Sequence, residues 1–281
     1  ILLKLIWGKF RHIIQKYYMS GTISSINYCP VKSVSFQSIE TCEIKKNIGI
    51  VGDRVFAFVK DLDPDNTKLF EKSPEDRKGK WNKLLTLKNS PVLNKYNFLF
   101  KENQLILTSK GKEILTIDVN ELSERQLLSN KIIELENSLK EPIVLMKNEK
   151  FPFFDTSISN KVNFINSVSL LNTQSINDFK KKIDRNIEIP RFRGNICVDG
   201  MEPWKEREWI GKTLKINNIS FKVEKNIPRC VAINLKPTTD DNSLNLLQSL
   251  KKIYDHFEMG IYLTPLDDGK INLGDKLEII N

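Results

Sequence analysis

A chain of 281 residues, 40% hydrophobic and 28% charged, is long enough for one large or two medium globular domains. Its formal charge of +9 comes from lysines scattered among acids, and without an aromatic–basic ladder or a known motif it does not point to nucleic acid. Four cysteines (29, 42, 197, 230) without a CxxC pair, and two histidines (12, 256), exclude a Cys/His zinc site of the usual spacing.

Such cysteines fit a reducing, cytoplasmic compartment better than a disulfide framework. Gly-x-x-x-x-Gly-Lys-Ser/Thr and Gly-x-Gly-x-x-Gly are both absent, which removes the two commonest nucleotide cradles.

Residues 1–18 differ from the rest. Leu3, Ile6, Phe10, Ile13 and Tyr17 recur at helical spacing, with Lys4, Arg11, His12 and Lys16 between them and no acid. Two expectations follow. The segment is an amphipathic helix lying on a membrane surface, or it precedes the true start, since Met19-Ser20-Gly21-Thr22 opens the first strand pattern. Charges interrupt it too often for a spanning helix.

Strand patterns follow at Thr22 to Tyr28 and Arg54 to Lys60, with a tight connection at Gly49 to Asp53. Lys72 to Lys80 reads as a mobile surface loop. Asn97 to Thr108 reads as a hairpin turning at Glu102-Asn103. Leu122, Leu127, Ile132, Leu135 and Leu139 mark a helix over about 120–140, stopped by Pro142. A short helix is expected over Thr173 to Asp184, and a hairpin over Leu214 to Val223 around Asn217-Asn218. Ser243 to Phe257 reads as a third helix, with Leu244, Leu247, Leu250 and Tyr254 on one face and His256 at its C-terminal end, where the dipole favours it. Gly260 to Leu263 and Ile271 to Ile280 close the chain as strands. Many short strands with few helices suggest an α+β, predominantly β fold containing a closed or nearly closed barrel.

Cys230 sits in Ile227-Pro228-Arg229-Cys230, ahead of the β-rich run Val231 to Leu235. A lone thiol beside an arginine is either a small buried residue or a soft metal ligand. Cys29, Cys42 and Cys197 read as packing.

The C-terminal third resembles the MOSC-domain family, carried by Arg193-Gly194-Asn195-Ile196, Trp209-Ile210-Gly211-Lys212, Pro228-Arg229-Cys230 and Leu263 through Gly274-Asp275-Lys276-Leu277. Tyr28-Cys29-Pro30-Val31-Lys32-Ser33 and Gly52-Asp53-Arg54 resemble the β-barrel domain that precedes MOSC in the amidoxime-reducing branch. The resemblance covers about residues 20–281. It implies an N-terminal extension at 1–18, an N-terminal β-barrel-type domain at 19–150 and a MOSC β-barrel at 151–281.

It also implies the molybdenum cofactor, a molybdenum-bearing pterin dithiolene (Mo-molybdopterin) with a terminal phosphate. More loosely, pyridoxal phosphate binding is associated with the same family. Lys32, Ser33, Arg54, Arg193 and Arg229 supply phosphate donors, Asn195 an amide for the pterin edge, and Cys230 the molybdenum ligand and catalytic residue. Thr156 and Ser157 match further cofactor contacts. That stretch is longer than the compared form, so Ser159 or Asn160 are alternatives. Gly194 replaces a proline of many relatives, loosening the turn before Asn195.

The implied reaction is reductive N–O cleavage of N-hydroxylated small molecules, with protons from water. No cysteine follows Cys230 and no flavin or nicotinamide fingerprint is present, so the electrons are expected from a separate donor protein or reductase. The competing expectation is a carrier or sulfuration protein for the same cofactor. A third is a cofactor-free structural barrel.

Overall fold

The computed structural model describes residues 20–60, 68–72, 77, 80–154 and 166–280. The helix expected over 1–18, and Thr156, Ser157, Ser159 and Asn160, lie outside the described residues.

The chain is mostly β. Its largest sheet runs β11 (Ile196–Asp199), β10 (Val168–Asn172), β14 (Glu258–Pro265), β13 (Ile219–Pro228), β12 (Thr213–Ile216), β16 (Lys276–Ile279), β1 (Ser20–Tyr28). A pairing between β1 and β11 closes these strands into a seven-stranded ring, and β2 (Gln37–Ile39) extends the edge of β1. Closure leaves the ring no free edge. Its interior is filled by apolar residues that include Ile23, Ile26, Leu170, Val198, Phe221 and Leu263. β15 (Gly269–Asn272) pairs with β3 (Thr41–Lys45), which pairs with β4 (Gly49–Ile50), and Cys42, Ile44, Ile50 and Ile271 join the same core. The barrel sheet therefore crosses the expected boundary at 150, because residues 20–50 supply strands that bond to residues 196–278.

The intervening chain builds a second core from two ladders. One joins β5 (Phe56–Lys60) to β9 (Ile143–Lys147); the other is β6 (Tyr96–Lys101), β7 (Gln104–Ser109) and β8 (Lys112–Asp118). The β6–β7 hairpin turns at Glu102 and Asn103, both at positive φ (51° and 67°), as expected for a two-residue turn that matches strand twist. The expected hairpin at Asn217-Asn218 forms the β12–β13 pair.

Three α-helices are described. α1 (Leu122–Leu135) is shorter than expected, and its buried face is Leu128, Ser129 and Ile132. Leu122 and Leu127, placed on the apolar stripe by spacing, are 71% and 52% exposed. The helix ends at Glu136, whose carboxylate accepts from Tyr96 Oη and pairs with Lys95 Nζ, both at 2.5 Å. α2 (Thr173–Lys182) connects the parallel strands β10 and β11, and Asn172 caps it by accepting from Gln174 N at 3.0 Å. α3 (Leu246–Tyr254) is capped by Asn245 and ends at Asp255 in the left-handed region.

Arg77, within the stretch expected as a surface loop, is fully buried and donates through Nε to Phe70 O. Gly194 is closely packed: a Cβ there would meet Leu171 Cδ1 and Cγ at 2.4 Å, so a larger residue would have to displace the Leu171 side chain.

Candidate functional site

A cleft of about 440 Å³ opens at the seam between the barrel and the second core. The chain crosses the seam several times there, after β1, before β5, after β9 and at the end of β13. Six cations line it: Lys32, Arg54, Lys88, Arg191, Arg193 and Arg229. Ser33, Ser169 and Cys230 add a polar edge, and Phe154, Ile227 and Tyr262 form an apolar wall. Among the described lining residues there is no aspartate or glutamate.

Arg54 is held from below. Its Nη1 pairs with Asp53 Oδ2 and lies 3.5 Å from Asn195 Oδ1. Asn195 is fully buried and donates through Nδ2 to Asp53 Oδ2 at 3.1 Å. Ser169 Oγ donates to Asn195 Oδ1 at 2.7 Å, and Asn195 N donates back to that hydroxyl at 2.9 Å. Asp53 Oδ1 accepts from Cys29 N at 2.8 Å. The Arg54 guanidinium also lies over the rings of Phe36 and Phe154, at 5.0 and 4.6 Å from their centroids. One face is thereby fixed while the residue still lines the cleft.

The other arginines divide their roles. Arg193 donates through Nη1 to Val34 O at 2.8 Å and lies over the Phe36 ring at 4.6 Å. Burial pulls its pKa below the usual guanidinium range, with the Cys29 thiol acting in the opposite direction. Arg191 is nearly buried, paired with Glu188 Oε2 at 2.7 Å and bonded to Asn234 O at 2.7 Å. Arg229 is largely structural. Nε donates to Met259 O at 2.8 Å, Nη1 donates to Phe192 O at 2.7 Å, and Nη2 reaches Met259 O again. Lys32 Nζ donates to Phe154 O at 3.0 Å.

Ser33, Arg54 and Arg193 all adopt left-handed backbone conformations, with φ of 67°, 52° and 49°. Such conformations disfavour residues with a Cβ and concentrate at functional sites.

Cys230 is exposed, whereas Cys29, Cys42 and Cys197 are buried. Burial pushes the thiols of Cys29 and Cys197 up in pKa, and that of Cys42 to about 12. These three pack, as their sequence contexts indicated. Val231 to Asn234, expected to be β-rich, forms instead a 3-10 turn that starts at Cys230 and presents it at the cleft. His256 lies beyond the end of α3, stacks on Tyr254 with centroids 5.8 Å apart, and has its pKa lowered first by burial. Burial works against the charged form that a helix C-terminus would favour.

Of the residues singled out by sequence, Lys32, Ser33, Arg54, Arg193, Arg229 and Cys230 line one cleft. Asn195 lies beneath it, bonded to the groups that hold Arg54. Sequence reasoning missed Arg191, Lys88, Ser169, Phe154 and Tyr262 as lining residues. Arg191-Phe192-Arg193, two arginines flanking a buried aromatic, was the available signal for Arg191.

Residues 163–278 match the family model described as MOSC domain. Over 91% of its length the chain is 22% identical to mitochondrial amidoxime reducing component 2 of Bos taurus, covering 82% of that protein. A shorter stretch, 42% of the chain, is 29% identical to 15% of molybdenum cofactor sulfurase from Drosophila willistoni. Among solved structures, the YuaD protein of Bacillus subtilis aligns over 93% of this chain and 96% of its own, at 11% identity and a TM-score of 0.43. Most residues that line the cationic cleft, the exposed cysteine among them, fall within residues 163–278, the stretch that matches the MOSC domain model.

Proposed function

We propose that this chain is a molybdenum-cofactor-dependent oxidoreductase that reduces N-hydroxylated compounds, with electrons from a separate donor protein. The observation that carries the reading is the convergence of six cations and the one exposed cysteine on a single cleft, with no acid among its described lining residues.

The donor set fits the cofactor in kind. Guanidinium and ammonium groups match phosphate oxygens, and an exposed thiol matches a soft, sulfur-rich metal sphere. Lys32, Ser33, Arg54 and Arg193 would hold the phosphate, with Thr156 and Ser157 as further contacts proposed from sequence. Arg191, found only in the structure, joins them. Cys230 would ligate molybdenum.

Arg229 and Asn195 act one step back. Arg229 ties Met259 to Phe192 beside Cys230, and Asn195 with Asp53 orients Arg54. Phe154, Ile227 and Tyr262 keep water from one side of the cleft. When bound, the cofactor supplies oxygen-atom abstraction coupled to two-electron transfer. An N-hydroxylated substrate with two electrons and two protons gives the amine or amidine and water, the electrons coming from the donor protein and the protons from solvent.

The matched name amidoxime reducing component favours the reductase reading. The match to molybdenum cofactor sulfurase favours a second one, a carrier or sulfuration role at the same site. Metal and pterin content per purified chain tests cofactor binding. Reduction of benzamidoxime by loaded protein with an artificial electron donor then separates the two. Full loading without turnover on several N-hydroxy compounds would leave the carrier.

A further inference from the structure

Cys230 opens a short turn that straddles the seam. Ile233 packs with α2 and α3, while Ala232 and Leu235 pack in the second core. Inside the turn, Ile233 N donates to Cys230 O and Leu235 N to Ala232 O, both at 3.2 Å, the long end of the range for such bonds. Ser35, Asn94, Arg191, Ala232 and Leu235 border a gap of about 20 Å³, so close packing does not by itself fix the turn on that side.

Polar contacts supply what packing leaves open. Arg191 holds the end of the turn through Asn234 O. The loop that follows is clamped from the second core. Asn94, in the 3-10 turn Pro91–Lys95, donates through Nδ2 to Lys236 O at 2.8 Å and to Thr239 O at 2.7 Å. Between those two carbonyls, Thr238 N donates to Ser35 Oγ at 3.0 Å, and Ser35 Oγ donates to Asn94 O at 2.6 Å. Thr238 is held at φ 60°, a conformation that a threonine keeps only where its surroundings impose it. Asn94 and Ser35 are both buried, so water does not replace a partner that is lost.

Ser35 also ends the segment that carries Lys32 and Ser33. The carbonyl before it, Val34 O, accepts from Arg193 Nη1, and Ser35 N donates to Tyr96 O at 3.0 Å. One buried pair therefore joins the segment bearing two phosphate donors to the loop that follows the thiol. Neither Asn94 nor Ser35 lines the cationic cleft, and both lie outside residues 163–278, whereas Cys230 lies inside them.

We propose that Asn94, together with Ser35, is a positioning residue for Cys230: it fixes the loop after the thiol through the carbonyls of Lys236 and Thr239 and keeps that loop in register with Lys32 and Ser33. The second core thereby sets the place of a thiol that the barrel domain carries. The proposal rests on the preceding reading only for what the thiol ligates.

Hydrogen exchange of the purified full chain, read over residues 231–239, tests the clamp. Asn94→Asp keeps the shape of the side chain and sets a carboxylate against two carbonyls; Ser35→Ala removes the acceptor of Thr238 N. Each should speed exchange over that stretch at least about tenfold. Asn148→Asp is the control, because Asn148 Nδ2 makes the same two-carbonyl clamp on Glu71 O and Lys72 O, away from the residues that line the cleft. It should leave residues 231–239 unchanged. Molybdenum per pterin then separates positioning from mere support. Asn94→Asp should keep pterin, whose phosphate donors sit on other segments, and lose most of the molybdenum, while the control keeps both. Exchange unaltered in Asn94→Asp and Ser35→Ala overturns the proposal. So does a loosened turn with molybdenum per pterin unchanged, or pterin and molybdenum lost in step. Should Asn94→Asp not fold, exchange in Ser35→Ala decides. Wild-type protein without molybdenum defeats the preceding reading and leaves exchange alone to decide this proposal; wild-type protein with molybdenum and unaltered exchange in the variants defeats this proposal alone.

Discussion

Asn195 donates to the carboxylate of Asp53 at 3.1 Å, and through that bond a residue outside the cleft sets the position of Arg54 inside it. Both partners are buried, so neither can turn to water if the other is lost. Asn195→Leu leaves Asp53 Oδ2 and Ser169 Oγ short of partners. A loss of about 1–3 kcal/mol is expected in denaturant unfolding, with reduced pterin content in the folded fraction. Unchanged stability would mean that the network is dispensable.

Arg229 and Arg54 should separate by readout. Arg229→Lys cannot span the Met259 and Phe192 carbonyls with one ammonium, so a loss of about 1.5–3 kcal/mol is expected for a charged hydrogen bond given up. Arg54→Lys keeps the charge beside Asp53 and should lower cofactor retention more than thermal stability. Equal stability losses in the two variants would contradict this division.

Thiol accessibility gives a direct count. Cys230 alone is exposed, so native protein free of cofactor should react with a disulfide reagent at one thiol per chain, and at all four only after denaturation. Cys230→Ser should abolish the native reaction. Fast reaction at a second thiol would show that Cys29, Cys42 or Cys197 is accessible.

Stability should fall at alkaline pH. In the folded chain the Cys42 thiol is raised from 9.0 to about 12 and the Tyr28 phenol from 10.0 to about 12, both first by burial. Above pH 9 the unfolded chain releases protons that the folded chain keeps, so the unfolded state is favoured progressively up to about pH 12. The denaturant midpoint should decline as pH rises above about 9, and Cys42→Val should make that decline shallower. An identical slope in the variant would remove Cys42 as a source.

Gly260 carries a packing constraint hidden in the sequence. It sits within β14 at φ 78°, and a Cβ there would lie 2.4 Å from Leu170 O and 3.3 Å from Arg229 Nη2. Gly260→Ala should lower the melting temperature and perturb the cleft together, because strand pairing and the Arg229 clamp share that space. Calorimetry with pterin content checks both.

Local pattern made several elements legible. Asn217-Asn218 and Glu102-Asn103 sit at true hairpin turns, where Asn217, Glu102 and Asn103 adopt positive φ, a conformation that asparagine tolerates better than most residues. The helices expected over Thr173 to Asp184 and Ser243 to Phe257 are present but shorter, starting where Asn172 and Asn245, not singled out in the sequence, cap them by bonds reaching two or three residues ahead. The buried face of α1 was misread because its partners, the strands of the second core, are brought to it by folding, and spacing alone does not say which of two apolar stripes they cover. The turn at Val231 to Asn234 was misread for a related reason: β propensity yields to the packing of Ile233 against α3 and of Leu235 within the second core.

The sequence by itself determined the chemical inventory: one thiol beside an arginine, cations in separated segments, and many short strands of the kind that build a closed or nearly closed barrel. It also placed residues 20–281 in resemblance to one family. Only the tertiary structure decided which cations share a cleft, that Asn195 works beneath it while Arg191 lines it, and that Arg229 is engaged with backbone carbonyls. Those outcomes depend on contacts between residues distant in sequence, from 30 and 37 positions for Arg229 with Met259 and Phe192 to 141 and 159 for Arg54 with Asn195 and Arg193 with Val34. Hydrogen-bond partners at that separation are set by barrel closure, and no local pattern encodes them.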